Sequence, residues 1–186
     1  VMEYQEGGSL SEYLKMRGVL GEEEALYFIR QIAGALEYIH EKKINHLDVK
    51  PGNILLNETN DAVLIDFGLS KRYDDEGNQT STTPVGISHG YAPLEQYKRG
   101  GVGIFSPATD IYSLGIVMYE LITGILPFNG ESPIAIAIKH MQSKPVSPKE
   151  FNISIPLAVE SIILKAMSKE QSLRYQSAEE MLADLN

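Results

Sequence analysis

Over eight residues the chain reads His46-Leu47-Asp48-Val49-Lys50-Pro51-Gly52-Asn53, and Asp66-Phe67-Gly68 begins thirteen residues after Asn53. Asp48, Lys50 and Asn53 share one short loop, and Asp66 sits where the next predicted hairpin ends. If that hairpin folds back on the loop, two carboxylates, an amide and an ammonium converge. A carboxylate with an amide oxygen suits Mg²⁺, a cation that takes hard oxygen ligands and borrows others from substrate phosphates. A second carboxylate can accept a hydroxyl proton, and a lysine can offset negative charge on a transferred phosphoryl group. The constellation reads as metal-assisted phosphoryl transfer.

The elements around these residues follow from periodicity. Ser9 to Lys15 reads as a short helix stopped at Gly18. Glu22, Glu23 and Glu24 place carboxylates at an electropositive helix start. Behind them Ala25, Phe28, Ile29, Ile32, Leu36 and Ile39 form one apolar stripe. Residues 44–53 read as a loop. Ile54-Leu55-Leu56 and Val63-Leu64-Ile65, around Asn57-Glu58-Thr59-Asn60-Asp61, predict a small β-hairpin. Residues 70–90 read as a long mobile loop, and loops of that length are functional or disordered. A helix capped by Asp110 follows, apolar on nearly all sides and therefore buried on all sides. Further helices are predicted at about 133–142, 156–168 with Pro156 at its first position, and 177–185 with a Ser177/Glu180 capping box. The fold class is mostly α with a small β-hairpin element.

Composition narrows the partners. Among 186 residues there are 25 acidic and 16 basic side chains, a formal charge of −9 that repels nucleic acid and anionic lipid. Cysteine is absent, which removes disulfides, thiolate metal sites and cysteine nucleophiles. Val1-Met2-Glu3-Tyr4 does not read as a signal peptide. Ile111 to Phe128 is interrupted by Ser113, Gly115, Glu120, Thr123 and Gly124, so it reads as a core helix rather than a membrane span. We expect a cytoplasmic domain with no nucleic-acid partner and no membrane segment in this chain, the parent protein being open to a membrane tether outside it. The apolar start at Val1-Met2 reads as entry in mid-domain.

Taken together the motifs resemble the C-terminal lobe of a eukaryotic-type (Hanks-type) Ser/Thr protein kinase, over essentially the whole chain. His46-x-Asp48-x-Lys50-x-x-Asn53 resembles the catalytic loop and Asp66-Phe67-Gly68 the magnesium-binding motif. Tyr91-Ala92-Pro93-Leu94-Glu95 resembles the end of the activation segment, with Leu94 where proline is usual. Asp110-Ile111-Tyr112-Ser113-Leu114-Gly115 resembles the start of the central buried helix, with Tyr112 in the usual tryptophan place. Arg174 stands where the family pairs an arginine with the glutamate matched by Glu95. The resemblance implies a protein kinase fold of which residues 1–186 are the hinge and C-lobe, with a catalytic loop at 44–53 and an activation segment at 66–95.

It also implies roles. Asp48 orients or deprotonates the acceptor hydroxyl, Lys50 contacts the γ-phosphate, and Asn53 with Asp66 holds Mg²⁺. Met2 takes the gatekeeper place in the hinge, backbone groups of Glu3 and Gln5 face the adenine of ATP, Leu55 floors that pocket and Ser9 contacts ribose. Ser9 has a rival reading as a plain helix cap, and His46 a structural one in which it packs against Phe67. Lys50, with Ser88 three residues before Tyr91, favours protein Ser/Thr acceptors. The stretches Arg174 to Leu182 and Thr123 to Phe128 are similar to bacterial Ser/Thr kinases.

Two departures carry expectations. Leu47 replaces the arginine that usually neutralises an activation-loop phosphate, so phosphates on Thr80, Ser81, Thr82 or Thr83 lose their usual partner, and activity is expected not to depend strictly on them. No Gly-rich phosphate loop, strand lysine or partner glutamate appears. The N-lobe is expected to lie outside this chain, leaving residues 1–186 alone inactive or nearly so. The competing readings are a pseudokinase or docking module, and a small-molecule phosphotransferase that shares the His-x-Asp loop. Retention of Asp48, Lys50, Asn53 and Asp66 argues against the first, and Lys50 with the long segment ending at Glu95 against the second.

Overall fold

The computed structural model describes residues 7–72, 86–97 and 105–186; the expected hinge positions Met2, Glu3 and Gln5, and Thr80 to Thr83, lie outside these. Helix α1 (Leu10–Arg17) starts at Ser9, whose hydroxyl accepts from Glu12 N at 3.2 Å while Glu12 Oε2 accepts from Ser9 N at 2.8 Å. This reciprocal capping box satisfies two otherwise orphaned donors. Helix α2 (Glu22–Glu41) opens on its three glutamates and buries the predicted stripe from Ala25 to Ile39. Helix α4 (Pro107–Thr123) is buried at every position except Pro107 and Glu120. It is the central element: α2 packs on it from one side and α6 (Leu157–Ala166) from another. A Cβ on Gly115 would come within 2.8 Å of Ala166 Cβ and 3.1 Å of Met167 Cγ, so the absent side chain is what lets α6 approach. Helix α7 (Ala178–Leu185) closes the core against α2 and α6, and Arg30 on α2 ties it down by donating to Leu185 O through Nε and Nη2. Helices α3 (Leu94–Tyr97) and α5 (Pro133–Gln142) lie against each other.

The hairpin forms from β2 (Ile54–Leu56) and β3 (Ala62–Leu64), antiparallel with Ile54 opposite Leu64. Its second strand is one residue earlier than predicted, because Asn57 Oδ1 accepts from Asp61 N at 2.7 Å and closes the turn there. The stretch 44–53 is not a plain loop. Strand β1 (Ile44–Asn45) pairs antiparallel with β4 (Lys71–Arg72), and Pro51–Asn53 forms a 3₁₀ turn. Two-residue strands leave no alternation to read, and their pairing is non-local.

Helix starts account for the other corrections. The cap of α4 is Ser106, whose amide donates to Thr109 Oγ1 at 3.2 Å, so Asp110 lies inside the first turn and does not cap. Pro156 is the extended residue before α6 rather than its first helical one. Ser177 caps α7 by accepting from Glu180 N at 3.1 Å, but Glu180 turns to Gln176 N, so only half the box forms. The architecture is mostly helical with short antiparallel strands, and among the described residues no helix is long and apolar enough to cross a membrane.

Candidate active site

The loop before β2 is held from beneath by one buried carboxylate. Asp110 is fully buried; its Oδ2 accepts from His46 N at 2.8 Å and from His40 Nε2 at 2.8 Å, and its Oδ1 accepts from Leu47 N at 2.7 Å. A buried charge is tolerable only when hydrogen-bonded in this way. His46 supports the same loop from above. Its Nε2 donates to Ile65 O at 2.8 Å and its Nδ1 accepts from Asp48 N at 3.3 Å, so the neutral tautomer serves both partners. Its ring meets Phe67 edge to face at 5.0 Å, the structural contact expected of it.

Asp48, Lys50 and Asn53 do converge. Lys50 Nζ donates to Asp48 Oδ2 at 2.7 Å, and Asn53 Nδ2 donates to the same oxygen at 2.7 Å and to Asp48 O at 2.9 Å. Ser88 completes the group: its hydroxyl donates to Asp48 Oδ1 at 2.5 Å and accepts from Lys50 Nζ at 2.8 Å. Asp48 and Asn53 are each 7% exposed, so the carboxylate is fixed by three side-chain donors in a largely dry setting. Such an arrangement aims a proton acceptor and an adjacent cation at one spot.

Asp66 adjoins that loop through backbone. Ile65 N donates to Asn53 O at 2.9 Å, which sets the following residue beside the Asn53 turn. Asp66 is exposed and left-handed at φ 64°, and its Oδ1 accepts from Gly68 N at 3.1 Å. Among the described residues it makes no hydrogen bond to Asp48, Lys50 or Asn53. The donor set fits Mg²⁺. Asn53 spends its Nδ2 on Asp48, which leaves Oδ1 as its open acceptor, and Asp66 keeps a second carboxylate oxygen. Ser9 lies opposite Leu55 in an isolated bridge, with Gly7 N donating to Leu56 O at 3.1 Å and Leu56 N to Gly8 O at 2.9 Å. These two expected nucleotide contacts are therefore neighbours, although the Ser9 hydroxyl already serves the α1 cap.

The segment from Gly86 to Tyr97 is sewn to the core by side chains. Tyr91 donates to Glu120 Oε2 at 2.7 Å, and Ser113 Oγ donates to Tyr91 O at 3.0 Å. Burial, reinforced by the Glu120 charge, drives the Tyr91 phenol far above its ordinary range, and burial also raises the Glu120 carboxyl. Glu95 and Arg174 pair as the resemblance implies. Arg174 Nη1 meets Glu95 Oε1 at 2.7 Å and Nη2 meets Oε2 at 3.2 Å. The remaining guanidinium donors reach Ser168 O, Ala108 O and Lys169 O, so all five are satisfied, and the plane lies 4.7 Å from the Tyr112 ring centroid.

Three contacts escaped sequence reasoning. Gln96 Nε2 donates to Leu47 O at 2.8 Å, His40 supports Asp110, and Tyr112 OH shares a 2.8 Å bond with buried His140 Nδ1. Burial, then the nearby Lys169 charge, lowers the His140 ring to about 4. A polar residue inside an apolar pattern was the available signal for His40 and His140. Gln96 offered none.

A family model for the protein kinase domain matches residues 1–184. The chain is 42% identical over 186 residues to a probable serine/threonine-protein kinase of Clostridium perfringens. It is 41% identical over 185 residues to the serine/threonine-protein kinase PrkC of Bacillus subtilis and 36% identical over 185 residues to PknB of Mycobacterium leprae. Each alignment covers 100% of this chain but 26%, 28% and 29% of the respective relative, so the chain spans little more than a quarter of their length. This chain belongs to the protein kinase domain family.

Proposed function

We propose that the protein carrying this chain is a Ser/Thr protein kinase, moving the γ-phosphoryl group of ATP to protein Ser or Thr hydroxyls, and that residues 1–186 supply its hinge and C-lobe. The carrying observation is the grip on Asp48, held by Lys50, Asn53 and Ser88 within hydrogen-bond distance. In this reading Asp48 takes the acceptor's hydroxyl proton and Lys50 offsets charge on the phosphoryl oxygens. Ser88 and Asn53 keep the carboxylate oriented. Asn53 Oδ1 and the open oxygen of Asp66 would hold Mg²⁺, which would supply positive charge against the phosphate oxygens. Met2, Glu3 and Gln5 would line the adenine side, with Leu55 as its floor and Ser9 near ribose. The catalytic loop is 44–53 and the activation segment 66–95.

Phosphoryl transfer depends on positioning, and residues 1–186 contain no G-x-G-x-x-G phosphate loop and no Val-Ala-Ile-Lys-type strand lysine. A polypeptide confined to them is expected to turn over poorly. The test is labelled-phosphate transfer from Mg·ATP by the full-length gene product to a generic protein substrate, followed by phosphoamino-acid analysis. Label on serine or threonine supports the reading. ATP binding without transfer would favour a pseudokinase that docks partners.

A further inference from the structure

Leu47 directly precedes Asp48, and its backbone is in the left-handed region at φ 66°. That region disfavours a bulky L-residue, and Leu47 is only 3% exposed. Side chains remote in sequence grip its peptide groups on both sides. Asp110 Oδ1 accepts from Leu47 N at 2.7 Å, and Gln96 Nε2 donates to Leu47 O at 2.8 Å. The Leu47 carbonyl lies in the same peptide plane as Asp48 N, which donates to His46 Nδ1. The direction in which Asp48 leaves the backbone is therefore set by a kink that Gln96 helps hold against its own preference.

The source of each grip matters. Asp110 belongs to the buried central helix, whereas Gln96 belongs to α3 at the end of the activation segment and is itself 6% exposed. Helix α3 is anchored independently by the Glu95–Arg174 pair. Removing the Gln96 amide thus cuts the link to the loop and leaves α3 in place. We propose that Gln96 is a positioning residue for phosphoryl transfer, transmitting the placement of the activation segment's end to Asp48 through the Leu47 carbonyl. The inference rests on Asp48 being the group that meets the acceptor hydroxyl.

The experiment compares kcat, KM for a peptide acceptor, ATP affinity and Tm across the full-length wild type, Gln96→Met, Gln96→Asn, Leu47→Gly and the Leu47→Gly/Gln96→Met double variant. Methionine keeps the volume without a donor, and asparagine keeps the amide but shortens its reach. Both should lower kcat by up to about 10²-fold, the usual cost of a displaced catalytic group, with ATP affinity unchanged. Glycine adopts the left-handed conformation without steric cost, so the Gln96→Met loss should shrink in the Leu47→Gly background. A purely structural role would move Tm and leave kcat equal in the folded fraction. Wild-type kcat in both Gln96 variants, or the same fold-loss in both Leu47 backgrounds, would overturn the inference while leaving the kinase reading intact. An inactive wild type that binds Mg·ATP would overturn the kinase reading itself, and this inference with it.

Discussion

Replacing Arg174 by methionine removes a guanidinium whose five donors all have acceptors: both oxygens of Glu95 and the carbonyls of Ser168, Ala108 and Lys169. The side chains of Arg174 and Glu95 are 0% and 9% exposed, so Glu95 would be left buried without its partner, with only Gln171 Nε2, at 3.4 Å, to meet it among the described residues. Breaking one side of such a pair costs about 3–5 kcal/mol. Three orphaned carbonyls and the lost face of Tyr112 press toward the upper end. Against a typical total of about 5–15 kcal/mol, that removes a fifth or more of the stability. For a domain of this size it lowers Tm by roughly 6–20 °C. Urea unfolding followed by far-UV dichroism reads it directly. The double variant Glu95→Leu/Arg174→Met removes both charges and should cost less than Arg174→Met alone. A single-variant cost under about 1 kcal/mol, the worth of an exposed ion pair, would contradict a buried, coupled pair, and so would simple additivity.

Three further outcomes are expected. Asp110→Asn turns an amide N–H toward one of the loop donors it now accepts from, so it should cost about 1–3 kcal/mol and lower kcat, measured by unfolding and by phosphate transfer. Alanine at Thr80, Ser81, Thr82 and Thr83 together should retain most activity, since Leu47 stands in place of the phosphate-binding arginine; loss of most transfer would contradict this. His140, against Tyr112, Phe128 and Lys169, has its ring lowered from 6.5 to about 4 by burial first. The unfolded chain therefore takes up the proton first, so stability is full above pH 6.5 and lost as pH falls toward 4, by about 3 kcal/mol. His140→Asn should flatten that acid limb in pH-dependent unfolding curves.

What was legible in the sequence had either a period or a motif behind it. The stripe of α2, the all-round burial of α4 and the Ser9 and Ser177 caps follow from local spacing, and the structure keeps them. Asp48, Lys50 and Asn53 were legible because three chemical types share one loop. Asp110 was visible but misassigned, because a helix-start aspartate ordinarily caps, whereas this one turns its carboxylate to a loop sixty-odd residues away. The β1–β4 pair, the left-handed Leu47 and the Gln96 tether all depend on contacts distant along the chain, where tertiary packing overrides local preference. No residue-by-residue propensity would have put a leucine at φ 66°.

Under the proposed function, Asp48 serves the chemistry rather than the binding of nucleotide. The most direct measurement is single-turnover phosphoryl transfer from labelled Mg·ATP by the full-length protein, wild type beside Asp48→Asn, with ATP affinity measured on both. Asparagine keeps the shape and an oxygen for one of the present donors, yet it accepts no proton at neutral pH. The expected transfer rate in Asp48→Asn is lower by about 10²-fold or more, with ATP affinity unchanged. Equal transfer rates in the two proteins would contradict it.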